Sequence, residues 1–537
     1  MSDKKAQDII ALEQRERGQQ ANFRTLWQDT ADLMYPRENQ IVDMTMPGEN
    51  KTNHIFDVTA VLESQNMASG LAQNLVPPGN KFFALKTLDR RLRDVENIKR
   101  YFSTITEITH EKLFASNFML QLIETLRSLV VFGTGNLFSE FKTGLVFKDF
   151  AIGTYQIFEN ANGSVDTMIL KYPLTAKQAT EEFENPGKLV EDAMKLDETQ
   201  GTKFEFIHVV RPRKERNINL SDNLNMPFES VFVSVKEAVV VDEGGFDEFP
   251  FHVPRWQKSS AEKYGRGQGT EVLPQVRVVN RMMGDFIEMG NKWVNPPLEI
   301  LESFEGEVGV FPGATNFVTE KGSITAISQN ALGNFPIGKD ILEMQQQVVK
   351  AAFFASAFAP LTDLTGDRRT TLEIRQRVQE AFRKIGSPIG RIQSELFTPM
   401  ITRVVRLLLK NGAIPPPPPE LSEFEIEYIG PLSLALKSSE VEASQQWIGI
   451  VGEIEQISQG AIDNIDFDDA VRRMARSFGV NEEDIASEEQ VEEKRAARQE
   501  QLAQQQALQA AQVAGQAYGQ TTAAPEEGSP AEALLSG

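Results

Sequence analysis

The chain has 537 residues, of which 55 are basic and 76 acidic, so its formal net charge is −21, and it contains no cysteine. This length exceeds what one hydrophobic core organises and indicates roughly three or four domains or sub-domains. The acidic charge argues against a protein that clamps DNA through its phosphates, and the lack of cysteine excludes disulfides and thiolate metal sites. The negative charge either provides solubility alone or keeps DNA from binding to a surface that it moves past.

The chain also lacks the signals of membrane insertion or export. The longest apolar runs, around Leu129–Phe132 and Ala351–Phe358, are far shorter than the ~20 residues that span a bilayer. The first ten residues, MSDKKAQDII, lack the apolar stretch of a signal peptide. We therefore expect assembly in a cytoplasm and no membrane partner.

Residues 1–135 have the periodicity of helices. An amphipathic pattern over 6–34 ends before Pro36, and a second helix follows Asp57 and ends at Pro77-Pro78-Gly79. Residues 94–132 predict one or two more helices, which end at Gly133.

Residues 136–268 change to short runs of β-branched and aromatic residues. Turn signals such as Asn162-Gly163 and Gly244-Gly245 separate these runs. This pattern predicts a β-rich lobe, with a helical insert near 174–196. The helices of residues 1–135 and the strands of residues 136–268 together predict an α+β fold. Over the whole chain we expect this fold to be mainly helical.

Residues 269–358 predict two helices, 269–294 and 338–358, joined by a glycine-punctuated excursion over 295–337. The 25 residues 270–294 of the first helix would be ~37 Å long at 1.5 Å per residue, and Asn295-Pro296-Pro297 ends it. The excursion is strongly acidic, with one lysine, Lys321, against five glutamates: Glu299, Glu302, Glu305, Glu307 and Glu320.

A polar loop at 359–370 precedes a long apolar stripe in residues 371–412. The loop includes Pro360, Leu361, Asp363, Asp367, Arg368 and Arg369. The stripe includes Val378, Phe382, Ile385, Ile389, Ile392 and Leu396. Its helical spacing continues past Pro388 and Pro399, which predicts a long, kinked helix packed along its length.

The predicted kinked helix is basic, with eight lysine or arginine residues against three glutamates. These bases would pair with acidic neighbours in an oligomer or touch DNA phosphates, and the sequence leaves both open. Beyond the run Pro415–Pro419, residues 413–490 predict a short strand and modest helices. Residues 491–537 are rich in glutamine and alanine and end in a segment too polar to order itself.

No catalytic constellation is recognisable. The histidines His54, His110, His208 and His252 have no metal-ligand spacing, and no Walker motif or nucleophile elbow is present. The alternating glycines of 265–269 lack the lysine and hydroxyl partners of a phosphate loop, so we expect only a flexible entry to the helix. We expect no catalytic residue, cofactor or metal.

The order of these segments, together with several local motifs, resembles the portal (head-to-tail connector) proteins of short-tailed bacteriophages. The matching motifs are Leu71-Ala72-x-Asn74-Leu75-x-Pro77, Tyr264-Gly265-Arg266, Gly366-Asp367-Arg368-x-Thr370, and Glu395-Leu396-x-x-Pro399 with Arg403-Val404. The resemblance covers about 10–480.

The resemblance implies the portal fold of wing, stem, clip and crown. The wing would comprise helical 1–135, the β-rich lobe 136–268 and kinked helix 371–412. The stem would be 269–294 and 338–358, the clip 295–337, the tunnel loop 359–370 and the crown 413–490.

The resemblance further implies a dodecameric ring at one capsid vertex, through which the genome is packaged and ejected. Its partners would be a tail adaptor, a transient terminase motor, the major capsid and scaffold proteins, and double-stranded DNA held without sequence preference. The tunnel-loop residues would face DNA, the clip glutamates would dock the adaptor and terminase, and the apolar stripe would pack between subunits. The alternatives are another oligomeric virion protein, such as a core or scaffold component, and a nucleotide-using enzyme.

Overall fold

The structure is a computed structural model, and it describes residues 3–43, 46, 48–93, 95–195, 197–220, 222–311, 314–318, 320–326, 335–355, 385–419, 421, 423–430, 444, 446–455, 460–477, 485–486 and 488–519. The chain forms two units. One comprises Met1–Leu88 and Tyr101–Leu436, and the other comprises Asp89–Arg100 and Lys437–Gly537. The fold is α+β, as predicted, and about half of the chain is helical.

The described helices are α1 Lys4–Gln19, α2 Ala21–Met34, α3 Thr59–Leu75, α4 Glu96–Ala115, α5 Phe118–Phe132, α6 Ala176–Glu182, α7 Lys188–Met194, α8 Gln268–Val294, α9 Phe335–Ala352, α10 Gly386–Ile392, α11 Thr398–Lys410, α12 446–455, α13 Phe467–Ser477 and α14 Glu488–Gly519. The described strands are β1 Phe83–Thr87, β2 Leu137–Phe141, β3 Leu145–Asp149, β4 Tyr155–Glu159, β5 Val165–Thr175, β6 Lys203–Pro212, β7 Phe228–Ser234, β8 Val239–Phe246, β9 Phe251–His252, β10 Leu298–Ile300, β11 Ile324–Ala326 and β12 Phe424–Tyr428.

The single helix predicted over 6–34 is two helices, α1 and α2, which meet at Gln20. The Gln20 side chain is buried and donates its Nε2 to Tyr155 O at 3.2 Å and to Tyr264 Oη at 2.9 Å. The break lets each helix cover a different surface, since Ile9 of α1 packs on the large sheet and Trp27 of α2 contacts Tyr264. The apolar periodicity alone could not show this change of partner.

The β-rich lobe is built on a five-stranded antiparallel meander in the order β4-β5-β6-β7-β8. Alternate residues of a strand face opposite sides, and both sides of this sheet are covered. Ile207 and Val209 of β6 pack with α1, whereas Phe204 and Phe206 pack with α6 and α7. Thr175 starts α6 with a capping box, which explains why the helical insert begins there.

A helical layer lies beside this lobe in the same unit. Helices α3 and α5 pack on each other, and α5 also contacts α8 and β3. Strand β1 pairs antiparallel with β12, from Phe83↔Tyr428 to Thr87↔Phe424. The sequence predicted a strand only at the second of these segments, and the first is recognised as a strand by its pairing with the second.

The second unit is helical in its described residues. Asp468 near the start of α13 accepts two hydrogen bonds from the Arg495 guanidinium on α14, at 2.6 and 2.8 Å. Helix α14 is exposed at most of its described positions. The sequence predicted helix in this region, and the structure extends it to Gly519.

Candidate functional site

The region with the clearest functional geometry is the hairpin of α8 and α9, which we call the stem, with the segment between them. Helix α8 has 27 residues, so it is ~40 Å long. Helix α9 returns alongside it, and the Gln275 side chain of α8 donates a hydrogen bond to Gln345 of α9. Helix α9 ends at Ala352, earlier than the predicted 358, and Phe354 follows with a left-handed φ of 52°.

The base of the stem is fixed by a close backbone crossing. The glycines before α8 lie directly against the end of α5: a Cβ on Gly267 would be 2.5 Å from the Val130 carbonyl oxygen, and one on Gly269 equally close to the Val131 oxygen. Arg266 N donates to Gln257 O at 2.7 Å. The expectation of a flexible entry is therefore wrong, because these glycines permit close packing instead of mobility.

The middle of the stem is tied to the loop before α3. Asn280 of α8 accepts hydrogen bonds from Phe56 N at 2.7 Å and Asp57 N at 3.1 Å, and it donates to His54 O at 2.9 Å. Gln346 of α9 donates to Asp57 Oδ2 at 2.6 Å. The same short loop therefore holds both helices of the stem at a fixed place relative to α3.

The stem and its joining segment expose a large amount of apolar surface. The exposed side chains are Val278, Ile287, Trp293, Val294, Ile300, Leu301, Val310, Phe311, Phe317, Val318, Ile341, Met344 and Val348. Single exposed apolar residues are ordinary on soluble proteins, but a concentration along one element marks an interaction surface.

The segment between the stem helices, called the clip below, contains a short antiparallel ladder of β10 and β11. All five predicted clip glutamates, Glu299, Glu302, Glu305, Glu307 and Glu320, are exposed. Within the described residues none of them has a basic partner in an ion pair. This surface is therefore both acidic and apolar.

The apolar stripe of the predicted kinked helix is covered by the chain itself. Ile385, Ile389, Ile392 and Leu396 are at most 1% exposed in the isolated chain. Val378 and Phe382 lie outside the described residues. The prediction that the stripe packs between subunits is not supported at these four positions, since side chains already buried have no surface left for another copy.

The described part of this predicted helix contains a π-helical turn with an identifiable cause. Residues Gln393–Phe397 form a π-helical turn between α10 and α11, in which Thr398 N bonds to Gln393 O, five residues back. Pro399 lacks an N–H and cannot make the regular bond to residue 395. The wider turn absorbs that defect and keeps the helix continuous.

The bases in the described part of this helix pair within the chain. Arg403 is 3% exposed and donates to Ser139 O at 3.2 Å and Glu248 O at 3.0 Å. Arg406 pairs with Glu248 at 2.9 Å, and Lys410 with Asp247 at 2.6 Å. Neither a neighbouring subunit nor DNA is needed to neutralise them, which corrects the sequence-based expectation for these residues.

Local sequence patterns assign no role to Arg255, which is the centre of a buried ionic brace. Arg255 donates to Glu395 through its backbone N at 2.9 Å, Nε at 3.1 Å and Nη2 at 2.7 Å, and its Nη1 contacts Glu159. Burial opposes the charged guanidinium, but the two carboxylates outweigh that effect and raise the pKa of Arg255. The brace fixes the π turn to the segment that leads into the stem.

A second, partly buried cluster joins the end of α2 to α5 and β3. Tyr35 Oη donates to Glu124 at 2.7 Å, Arg37 pairs with Glu124 at 2.6 Å, and Thr125 Oγ1 donates to Asp149 at 2.6 Å. Burial, assisted by the neighbouring carboxylates, raises the pKa of Asp149 to about 8 and that of Glu38 to about 7. This corner of the fold therefore retains protons that an unfolded chain would release.

The histidines occupy structural positions. His208 stacks on Phe232 with ring centroids 3.9 Å apart, and His252 shares a hydrogen bond with Ser139 at 2.9 Å. Burial lowers the pKa of each to about 3. Over the described ranges, no group of three histidine or carboxylate residues is arranged to hold a metal ion, and no helix is long and apolar enough to cross a bilayer.

Comparison with known proteins agrees with the resemblance seen in the sequence motifs. The sequence profile of a family described as bacteriophage head to tail connecting protein matches residues 6–485. The chain belongs to this family. The connector is 25% identical over 490 residues to the portal protein of Salmonella phage epsilon15, an alignment that covers 89% of this chain and 88% of the relative.

Two further relatives carry the same description. The connector is 24% identical over 488 residues to the probable portal protein of Bordetella phage BPP-1, with 88% of each chain covered. It is 21% identical over 389 residues to the portal protein of Pseudomonas phage phiKMV, covering 67% of this chain and 70% of the relative. The family is structural, so the connector is a phage virion component with capsid and tail partners and is not an enzyme.

The motif residues of the connector have packing roles where the structure describes them. Leu71 is fully buried in α3, and Tyr264 contacts Trp27. Glu395 accepts hydrogen bonds from Arg255, and Arg403 donates to the Ser139 carbonyl oxygen. The predicted tunnel-loop residues lie outside the described residues: Pro360, Leu361, Asp363, Asp367, Arg368 and Arg369. The motif at 366–370 lies outside them as well.

Proposed function

We propose that the connector forms a ring of about twelve copies at one capsid vertex, and that the genome is packaged and ejected through its central channel. The observation that carries this proposal is the apolar surface of the stem. Val278, Ile341, Met344 and Val348 are each between 43% and 58% exposed in the single chain. In a ring, the stem helices of adjacent copies would cover one another's exposed faces.

The charge of the connector suits a channel through which DNA slides. Twelve chains at −21 each carry a net charge of about −252. This negative charge repels the DNA phosphates and therefore disfavours tight binding of DNA. The tunnel loop, 359–370, would face DNA through Pro360, Leu361, Asp363, Asp367, Arg368 and Arg369. Its arginines, placed next to aspartates, would make only transient phosphate contacts.

The clip, 295–337, is the proposed docking site for the terminase motor during packaging and for the tail adaptor afterwards. Its exposed glutamates and apolar side chains support this assignment. The N-terminal helices, the β-rich lobe and the kinked helix would form the wing, and 413–490 would form the crown. Major capsid and scaffold proteins would surround this assembly while it forms in the host cytoplasm.

The ring is tested by changing exposed stem residues that the single chain does not need. The double variant Met344→Glu, Val348→Glu places charge on the outside of α9, and Leu189→Glu on α7 is the matched control. We expect the wild type and the control to give rings of about twelve copies with an axial hole by native mass spectrometry and negative-stain microscopy. The double variant should keep its circular dichroism spectrum but lose the ring.

Two results would contradict the ring. One is a wild-type chain that stays monomeric at high concentration, and the other is rings of native mass from the double variant. Docking is tested separately by deleting residues 295–334, the part of the clip that precedes α9, which should leave rings intact and abolish the attachment of terminase and adaptor. Normal attachment to rings that lack this segment would exclude it as the docking site.

A further inference from the structure

The clip carries two aromatic side chains that the single chain leaves almost fully in water. Phe311 is 70% exposed and Phe317 is 88% exposed, and Val310 beside them is 77% exposed. Aromatic side chains stabilise a protein by burying their large apolar surface, so their exposure in an isolated chain is unfavourable. We call these three residues the aromatic knob.

The knob is held in shape by one polar side chain. Asn316 accepts a hydrogen bond from Gly309 N at 2.7 Å and donates to Gly309 O at 2.9 Å, which closes the loop at both backbone atoms. Ala314 N donates to Phe311 O at 3.0 Å. A Cβ on Gly309 would lie 2.9 Å from that of Ala314, so the loop needs glycine there. Backbone that is held in this way at Gly309 and Phe311 loses less entropy when the aromatic side chains enter a pocket.

The loop is also anchored to the β10–β11 ladder. Ser323 N and Oγ both donate to Glu320 O, at 3.2 and 2.7 Å, and Leu301 N donates to Ser323 O at 3.0 Å. Ser323 is 5% exposed, so this anchor is shielded from water. The position of the knob is thereby linked to the end of the stem.

The charge around the knob indicates what covers it. The acids of this segment are Glu299, Glu302, Glu305, Glu307 and Glu320, against the single base Lys321. A second copy of the clip would bring a like-charged rim against this one, which is unfavourable. Lysine and arginine would instead neutralise the glutamates, and their cationic groups also favour the faces of phenylalanine rings.

We propose that the aromatic knob enters an apolar pocket rimmed by lysine and arginine on a different polypeptide, and that Asn316 is the positioning residue of this contact. This inference rests on the proposed docking role of the clip and names the chemistry of its partner. Repetition around a ring would add avidity to a contact that is small in each copy. Binding should weaken as salt is raised, because the rim charges are exposed.

The test compares isolated rings with tailed virions. Hydroxyl-radical oxidation of Phe311 and Phe317, read by mass spectrometry, should be high in isolated rings and several-fold lower in tailed virions. A photo-reactive benzoylphenylalanine in place of Phe317 should form its covalent adduct in virions with a second polypeptide, at a segment containing lysine or arginine. Phe317→Leu should retain tail attachment, whereas Phe317→Ala and Asn316→Ala should lower the yield of tailed particles several-fold with the ring mass unchanged.

The outcomes separate this inference from the ring proposal. The chain could form rings of native mass while Phe311 and Phe317 are oxidised equally in isolated rings and in tailed virions. That result would overturn the inference and leave the ring proposal in place. Protection already complete in isolated rings, or an adduct to another copy of the chain, would overturn it because a neighbouring clip then covers the knob. A chain that forms no ring would overturn the proposed function and, with it, the inference.

Discussion

Removal of the Glu395 carboxylate should destabilise the fold because it leaves a buried charge short of a partner. Arg255 has a side chain only 2% exposed, and Glu395 accepts three of its hydrogen bonds, at 2.7, 2.9 and 3.1 Å. Breaking a buried ion pair by removing one partner costs ~3–5 kcal/mol. Glu159 still contacts the guanidinium, so we expect Glu395→Ala to lower the free energy of unfolding by about 2–4 kcal/mol.

The matched control lies on the same helical segment. Arg406 is 57% exposed at its side chain and pairs with Glu248 at 2.9 Å. Exposed pairs of this kind contribute about 0–1 kcal/mol, so Arg406→Ala should shift stability by no more than that. Replacing both brace partners, Arg255→Met with Glu395→Leu, should recover part of the loss because no unpaired charge remains.

The assay is urea denaturation of the purified chain, followed by circular dichroism, with the three variants compared at one protein concentration. We expect the denaturation midpoint to fall most for Glu395→Ala, less for the double replacement and least for Arg406→Ala. A Glu395→Ala midpoint no lower than that of Arg406→Ala would refute the reasoning, because the brace would then contribute no more than a surface pair.

Three further predictions test other parts of the fold. The folded pKa of Asp149, about 8, lies above its ordinary value of 3.8, so its contribution to stability is fully present below 3.8 and is lost as pH rises through about 8. The melting temperature of Asp149→Asn relative to wild type should therefore rise between about pH 5 and about pH 9, and a constant difference would contradict this. Gly267→Ala should lower the melting temperature strongly because its Cβ meets the Val130 backbone, whereas Gly290→Ala, with open space around it, should not. Ile389→Asp should give insoluble or unfolded chain, as judged by circular dichroism, and folded monomers from this variant would show that the stripe is not a core.

The bounds of many elements follow from local sequence because prolines, glycines and caps act on their own neighbours. Helix α3 ends at Leu75 before Pro77-Pro78-Gly79, and α8 ends at Val294 before Asn295-Pro296-Pro297. The exposure of the clip glutamates was predictable for a related reason, since carboxylates without nearby cations are rarely buried. The family resemblance was likewise visible in short motifs, and the profile match supports it.

The roles of individual residues depended on contacts between distant segments, which local patterns do not encode. The spacing of Ile385, Ile389 and Ile392 required burial. A sequence pattern cannot tell whether residues of the same chain or of another copy bury these side chains, and in the structure the same chain buries them. The glycines before α8 predict a flexible segment when the sequence is considered alone. In the fold they pack directly against the end of α5.

The sequence by itself determined an α+β fold with a helical hairpin and an acidic segment between its two helices, because periodicity and helix breakers act over a few residues. Only the tertiary structure decided that Arg255 meets Glu395, that β1 pairs with β12 and that the bases of the kinked helix find acids at 247–248. Each of these pairings joins segments far apart in the chain. Their energies depend on burial and distance, and those quantities exist only once the chain has folded.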